Sequence, residues 1–268
     1  MSFGGAWAKI KRASEYRDAL KSEISAVFAE LNNLPRVGTR YEEETGDHVV
    51  YVSHMPNLSA LIERVSLMFG DSIHNLRSAL DHLVYAMAFV HRNGEIEQPR
   101  RLAFPITDSE DKWRGEVHRL IEISAEDRAI IEWYQPYNAV ARAGRPAGSP
   151  TLLGYLRDLD DWDKHRLLTP VVVPGSGLLN PDPQALAIWM PSAFASLSDP
   201  SAYEIKPVEL GTILARARFP HGVRLTDMDV AGYLAPALNV SSGQFEVGEL
   251  LDALSGRVSE IAERCANR

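Results

Sequence analysis

The sequence predicts an α+β protein: a mainly helical bundle, then a small antiparallel sheet and a C-terminal helix. Three observations predict this class. Apolar residues recur at three- and four-residue steps through most of the first 170 residues, which is the period of amphipathic helices. Beyond Pro170 the chain becomes rich in β-forming residues and is interrupted by Gly and Pro. Helical spacing then returns near the C-terminus. We therefore expect a helical domain over residues 1–170, and a β-rich segment over residues 171–268 whose closing helix packs on the bundle.

The N-terminal part is predicted to contain a helix and a hairpin. Residues 6–31 form an amphipathic pattern with a charged outer side. Two strand-like runs then flank the turn sequence ETGD, so a small hairpin is inserted near residues 37–53. Tyr41, Val50 and Val52 are expected to share one packed face of this hairpin.

Four further helices are predicted in the bundle, over residues 58–90, 109–121, 125–133 and 151–167. The first of these ends before Asn93 and Gly94, a common helix stop. Ser124 is placed to cap the helix that starts at residue 125, with Asp127 three residues on. Residues 134–150 are rich in Pro and Gly and are expected to form an irregular surface connection.

Strand-like runs dominate the segment after residue 170. They are TPVVVPG, QALAIWMP, YEIKPVELGTILARARF and VAGYLAPALNVS, and each is broken by Gly or Pro. In the third run Ile213, Ala215 and Ala217 alternate with their neighbours, as in a half-exposed strand. A last helix is predicted over residues 247–264 from its apolar spacing, which is carried by Leu250, Leu251, Leu254, Val258 and Ile261.

The composition narrows the classes of function. The formal net charge is −8 and the isoelectric point is about 5.5, so a long nucleic-acid-binding face is disfavoured, although a local basic cleft is compatible with these values. Cys265 is the single cysteine, which excludes an intrachain disulfide. The sequence contains no apolar run long enough to span a membrane and no secretory pattern at its start. We therefore expect a reduced, cytoplasmic protein.

Residues 70–87, GDSIHNLRSALDHLVYAM, are the strongest candidate for a functional site. At about 100° per residue, eight polar side chains fall within less than half of the helix circumference, and the opposite side is apolar. We call these eight residues the polar stripe; they are Asp71, His74, Asn75, Arg77, Ser78, Asp81, His82 and Tyr85.

Three interpretations of the polar stripe remain open. A surface helix has a polar face by default, but such faces are rich in Lys and Glu, and neither occurs between Gly70 and Tyr85. Short and titratable side chains can instead satisfy one another in a partly buried network. They can also form an active or binding site.

Arg77 and His82 together resemble the signature of the HEPN superfamily, an Arg followed four to six residues later by a His within a helix. The chain also resembles a group of uncharacterised bacterial proteins that share a charged N-terminal helix, HNLRSALDHL, QPY and DKHR. The HEPN resemblance covers the helical portion. It implies a helical bundle, a homodimer, and a metal-independent endoribonuclease activity of the kind found in toxin and phage-defence systems.

The resemblance implies Arg77 and His82 as catalytic residues. A histidine can act as base or acid near neutral pH, and Arg77 can clamp phosphate oxygens and stabilise their growing charge. In a dimer, two such pairs supply both halves of a site that cleaves single-stranded or structured RNA. Asp81 orients a ring nitrogen or holds Arg77. No cofactor or metal is implied.

A second cluster of polar residues lies near the end of the helix predicted over residues 151–167. In the sequence DLDDWDKHRLL, basic residues near a helix end complement the helix dipole, so a solvated helix end is one interpretation. The alternative is that Asp163, His165 or Arg166 completes the network of the polar stripe. The supporting residues of the candidate site are thus His74, Asn75, Ser78, Asp81, Tyr85, Asp163, His165 and Arg166.

Two other functions compete with the endoribonuclease hypothesis. The first is a non-catalytic module, in which the polar stripe is a structural network or ligand pocket and the β-rich segment binds a protein partner. The acidic balance of the chain favours this alternative. The second is a metal-dependent hydrolase that uses nitrogen and oxygen ligands, drawn from His74, Asp81, His82, Asp163 and His165. The sequence has no H-E-x-x-H motif, phosphate-binding loop, dinucleotide fingerprint or nucleophile elbow.

Overall fold

A computed structural model of the chain describes residues 3–29, 36–57, 59–163, 171–174, 210–217, 230–231, 234–240 and 243–267. Within these ranges the protein is mostly helical and carries small antiparallel sheets, so the predicted α+β class is confirmed. The predicted strand run QALAIWMP, over residues 184–191, lies outside the described residues.

Seven α-helices are present in the described ranges: α1 (Gly4–Phe28), α2 (Ser59–His91), α3 (Glu110–Glu116), α4 (Ala125–Trp133), α5 (Pro136–Arg142), α6 (Leu152–Asp163) and α7 (Val247–Ala266). Two short 3₁₀ segments are Pro99–Arg101 and Val117–Leu120. The strands are β1 (Arg36–Glu42), β2 (Asp47–His54), β3 (Val171–Pro174), β4 (Ile213–Ala217), β5 (Val230–Ala231), β6 (Leu234–Val240) and β7 (Gly243–Glu246).

The strands form two sheets. The first has the order β4-β2-β1-β5, with all three pairings antiparallel. The predicted hairpin is confirmed as β1 and β2, joined by a turn in which Gly46 has a φ of 72°. The second sheet has the order β3-β6-β7, and β3 pairs antiparallel with β6.

Tyr41 lies less deeply in the hairpin than the sequence suggests. It pairs directly opposite His48, on the face that also carries Val52. Val52 is buried, whereas Tyr41 lies beside the turn and is 40% exposed. Its ring instead packs on the imidazole of His48, with 5.0 Å between ring centroids. Tyr41 and Val52 therefore share a face as predicted, but its turn end is open to solvent, and the side chain of Val50 lies outside the described residues.

The chain divides into two compact units. A helical unit comprises Met1–Ser22, Arg64–Thr169 and Val240–Arg268. The other unit comprises Glu23–Glu63 and Pro170–Asn239, and includes the four-stranded sheet. The helical unit thus contains three separate segments of the chain, including both ends of the sequence. The predicted boundary near residue 170, in contrast, gives two domains that are each continuous in the sequence.

The core of the helical unit is formed by the apolar sides of its long helices. Every residue of the predicted apolar pattern of α7 is buried, and α7 packs against α6 and α4. The predicted cap of α4 is confirmed, because the Asp127 amide donates to Ser124 Oγ at 3.0 Å. None of the helices in the described ranges is both long and apolar enough to cross a bilayer.

The prediction of an irregular connection over residues 134–150 is wrong in its first half, where α5 forms. Pro136 occupies the first turn of this helix, where a missing N–H costs no hydrogen bond. Pro136 and Val140 are buried. The proline therefore starts a helix here, although the sequence pattern indicated a break.

Candidate functional site

Helix α2 is sharply two-sided, as its sequence predicts. Gly94 donates its N–H to the Phe89 carbonyl oxygen at 2.8 Å and, with Asn93, adopts a positive φ that ends the helix. All residues of the predicted apolar side are buried in the helical unit; they are Phe69, Ile73, Leu76, Ala79, Leu80, Leu83, Val84, Ala86 and Met87. The polar stripe on the other side divides into groups with different surroundings.

Arg77 and Asp81 occupy one edge of the polar stripe and bind the same distant residue. Arg77 Nη1 donates to Asp81 Oδ1 at 2.8 Å, and Arg77 Nη2 donates to the Phe104 carbonyl oxygen at 2.9 Å. The Phe104 N–H donates to Asp81 Oδ1 at 2.8 Å. The Arg77 side chain is 19% exposed. The three groups form a closed network that fixes the backbone ahead of α3.

Gln135 fixes the same stretch of backbone from the other side. Its Oε1 accepts from the N–H and the hydroxyl of Thr107 at 2.9 and 3.1 Å, and its Nε2 donates to the carbonyl oxygens of Pro105 and Ile131. The side chain is fully buried, so these bonds satisfy an amide that would otherwise be costly to bury. The QPY pattern thus contributes a structural residue, and residues 104–107 are held by α2 and by Gln135.

A buried carboxylate holds the start of the same connection. Glu122 is 1% exposed; its Oε1 accepts from the backbone N–H groups of Glu97 and Gln98 at 3.1 and 2.9 Å. Its Oε2 accepts from Arg92 Nε at 2.7 Å. The connection between α2 and α3 is therefore anchored by side chains rather than by strand neighbours.

The other edge of the polar stripe faces α1. The buried Asn75 accepts from Lys9 Nζ at 3.3 Å and donates to the Asp71 carbonyl oxygen at 2.7 Å. Ser72, also buried, donates to the Ala13 carbonyl oxygen at 3.1 Å. Asn75 is thus a packing and hydrogen-bonding residue of the contact between these helices.

His82 lies directly over the second residue of α1. A Cβ atom built on Gly5 would lie 2.8 Å from His82 Nδ1. The imidazole therefore fits at this position because Gly5 has no side chain. The imidazole remains exposed on its other side. Arg77 and His82 are separated by about 140° around the helix, and within one chain the Arg77 guanidinium is bound to Phe104 while His82 contacts α1.

His74 is the residue of the polar stripe that approaches α6. His74 Nδ1 lies 3.7 Å from Asp160 Oδ1, with the imidazole 65% exposed and the carboxylate 5% exposed. The sequence predicts the second wall of the site at Asp163, His165 or Arg166. The side chain of Asp163, and all of His165 and Arg166, lie outside the described residues, and Asp160, three residues before Asp163, is the acidic group seen beside His74.

The centre of the polar stripe is open to solvent. Ser78 is partly exposed, Tyr85 is 38% exposed, and Asp71 is exposed. The side chains of Ser78, His82 and Tyr85 make no hydrogen bond to the residues described by the structure. They are therefore available to a partner or ligand.

No group of three or more His, Cys, Asp or Glu residues in the described ranges is placed to hold a metal ion. No protein-family model, curated protein or solved structure matches the chain.

The sequence does not indicate that the Phe104 backbone and Gly5 are neighbours of the polar stripe, because neither the backbone groups nor the glycine contribute a side chain that would mark the contact.

Proposed function

We propose that this chain is a non-catalytic binding protein, in which α2 combines a structural network with an exposed contact face. The observation that carries the proposal is that Arg77 and Asp81 are engaged with Phe104. An arginine that clamps phosphate uses the same two-pronged set of donors that Arg77 gives to Asp81 and to the backbone. If Arg77 left this network to bind a phosphate, the Phe104 carbonyl oxygen would lose the hydrogen bond from Arg77 Nη2.

The contact face is the exposed part of α2 around the centre of the polar stripe. Leu67 is 52% exposed and Tyr85 is 38% exposed, and both lie at the same angle around the helix, five turns apart. His74 and Ser78 lie between them. Aromatic residues beside aliphatic and polar groups are typical of protein interfaces. We propose a second copy of this chain as the partner, which gives a homodimer.

The oligomeric state tests this face directly. Sedimentation velocity is expected to show a dimer for the wild type and a monomer for Leu67→Asp, because a buried unpaired carboxylate opposes association. Val90→Asp is the matched control: Val90 is 49% exposed on the same helix, but it is turned about 140° away from Leu67. A wild type that stays monomeric, or a Val90→Asp variant that dissociates equally, would contradict this face.

A metal-independent endoribonuclease is the second candidate. The observation that favours it is the exposure of His82, whose imidazole makes no hydrogen bond within the described part of the chain. In a dimer two copies of His82 could approach one phosphodiester, with Arg77 released from Asp81 by the substrate. This candidate requires an arginine that moves, whereas the binding proposal does not.

Incubation of the protein with RNA in EDTA separates the two candidates. The binding proposal expects no cleavage by the wild type. Cleavage that is lost in His82→Ala and kept in His91→Ala, an exposed histidine at the end of the same helix, would overturn it and favour the endoribonuclease. Cleavage that needs a divalent metal and stops in EDTA would instead favour a metal-dependent hydrolase.

A further inference from the structure

A basic cavity lies in the helical unit, among residues that the polar stripe does not use. Its volume is about 500 Å³, and its lining comes from the end of α4, from α5, from the start of α6 and from α7. A neighbouring cavity of about 470 Å³ shares Arg145, Pro150, Thr151 and Tyr155 with it. The two cavities therefore adjoin along the connection between α5 and α6.

Among the residues that the structure describes, the lining of the first cavity includes three arginines and no carboxylate. Two of the three have partners outside it. Arg142 lies over the Trp133 ring at 3.8 Å from its centroid and donates to the Trp133 carbonyl oxygen. Arg257 donates to Glu260 at 2.8 Å. Both arginines are thus held in place at the rim of the cavity.

Arg145 is the third arginine, and its charge is not balanced by a neighbour. Its guanidinium makes no hydrogen bond or ion pair with the residues described by the structure. Its backbone N–H donates to the Val140 carbonyl oxygen at 3.1 Å, which ties its main chain to α5. An exposed cation on a fixed backbone, shared by two cavities, is a suitable anchor for an anion.

The acidic groups of the neighbouring cavity are already paired. Asp108 contacts Lys112 at 2.7 Å and Arg157 at 3.6 Å, and Asp158 contacts Arg157 at 2.8 Å. The hydrogen bond from Lys112 lowers the pKa of Asp108, so this carboxyl group is ionised at neutral pH. These carboxylates therefore leave the charge of Arg145 unbalanced.

The rest of the first cavity is apolar and aromatic. Tyr134, Leu153, Tyr155 and Pro150 line it. Burial raises the pKa of Tyr134, so its ring stays neutral. Cavities of several hundred Å³ with a few polar groups on an apolar wall suit small organic molecules. A ligand here is expected to have an anionic end and a compact apolar or aromatic body.

We infer that this cavity binds a small organic anion, with its phosphate or carboxylate on Arg145 and its apolar body against Tyr134 and Tyr155. The anion replaces water around an exposed guanidinium that has no competing partner in the described ranges, and Arg142, whose contacts are an aromatic ring and a carbonyl oxygen, adds positive potential from the rim. The site is separate from α2, so the inference does not depend on the proposed function.

Calorimetric titration with phenyl phosphate, phenylacetate and phenol tests the inference on the full chain. We expect one of the two anions to bind and phenol to bind at least about tenfold more weakly, because phenol lacks the negative charge that strengthens a hydrogen bond from a guanidinium. The tighter anion identifies the headgroup. Arg145→Gln is expected to weaken binding about tenfold or more, and Arg145→Lys to weaken it less because the charge is kept.

Arg100→Gln is the matched control, because Arg100 is also exposed and makes no side-chain hydrogen bond within the described ranges. The Arg100→Gln variant is expected to bind the anion with the same affinity as the wild type. The melting temperature of Arg145→Gln should also be unchanged, since no partner is lost. No binding of either anion at millimolar concentration, equal binding of phenol, or equal loss of affinity in Arg100→Gln and Arg145→Gln would overturn the inference.

Discussion

Arg77 and Asp81 bind the two polar groups of one residue: Asp81 accepts the N–H of Phe104, and Arg77 donates to its carbonyl oxygen. The two side chains are also paired with each other at 2.8 Å. A helix thereby gives a loop residue both hydrogen bonds that a neighbouring strand would normally provide. Each of the three residues makes two defined hydrogen bonds in this network, so replacing Arg77 or Asp81 measures what the bonds of that side chain contribute to the free energy of unfolding.

The first prediction concerns Asp81. Asp81→Ala removes the acceptor of the Phe104 N–H and the partner of Arg77, so we expect a loss of about 1–3 kcal/mol in the free energy of unfolding, most of it from the unsatisfied N–H because the Asp81 side chain is 39% exposed. Asp81→Asn keeps an acceptor oxygen and should lose less. Urea denaturation measures both. Asp71→Ala, at an exposed position of the same helix, should change stability by less than about 0.5 kcal/mol; equal losses at the two positions would contradict the network.

The second prediction concerns Gln135. Gln135→Ala leaves Thr107, Pro105 and Ile131 without their side-chain partner in a buried place, so we expect a loss of about 2–4 kcal/mol. The hydrogen exchange of the Thr107 N–H should also be faster in this variant, because the N–H loses its acceptor. Gln98→Ala removes an exposed amide and should leave both measurements unchanged. Continued slow exchange at Thr107 in Gln135→Ala would show that another group protects this amide.

The third prediction concerns the contact of Gly5 with His82. Alanine is favoured over glycine in a helix by up to about 1 kcal/mol, but here its Cβ meets His82 Nδ1. We therefore expect Gly5→Ala to stabilise the protein more in a His82→Ala background than in the wild type. A double-mutant cycle by thermal unfolding measures this coupling. Additive effects would indicate that the imidazole turns away at no cost.

The fourth prediction concerns Cys265 at alkaline pH. Burial raises the pKa of the Cys265 thiol from 9.0 to about 12. The unfolded state therefore loses this proton first, and the free energy of unfolding should fall as pH rises from about 9 towards 12. Cys265→Ala should reduce this pH dependence. Because the chain has a single cysteine, alkylation by iodoacetamide at pH 8 should also be slow until the protein is unfolded; rapid labelling of the folded protein would contradict burial.

Periodicity was sufficient to predict the long helices, and the turn sequence ETGD between two strand-like runs was sufficient to predict the hairpin. The apolar sides of α2 and α7 follow from spacing alone, because each side is continuous along its own helix. The C-terminal end of α2 follows from Gly94, and the start of α4 follows from its N-terminal cap, Ser124. The position of α5 could not be read in the same way, because a proline before a short apolar pattern fits a turn and a helix start equally well.

The surroundings of the polar stripe were only partly predictable. The sequence indicates that Asp81 can hold Arg77, since the two are four residues apart on one helix. It does not indicate that both reach Phe104, because these contacts join residues 27 and 23 positions apart and use backbone groups of Phe104 that other residues also carry. The place of His82 depends in the same way on Gly5, whose contribution is the absence of a side chain.

The connection between α2 and α3 looks like an ordinary loop in the sequence, yet both of its ends are anchored by side chains. Glu122 holds its beginning, and Arg77, Asp81 and Gln135 hold its end. Surface loops usually accept inserted residues at little cost. Here an inserted residue can be accommodated only in the exposed stretch between Gln98 and Phe104, because an insertion at either end would displace a hydrogen-bonded backbone group from its side-chain anchor.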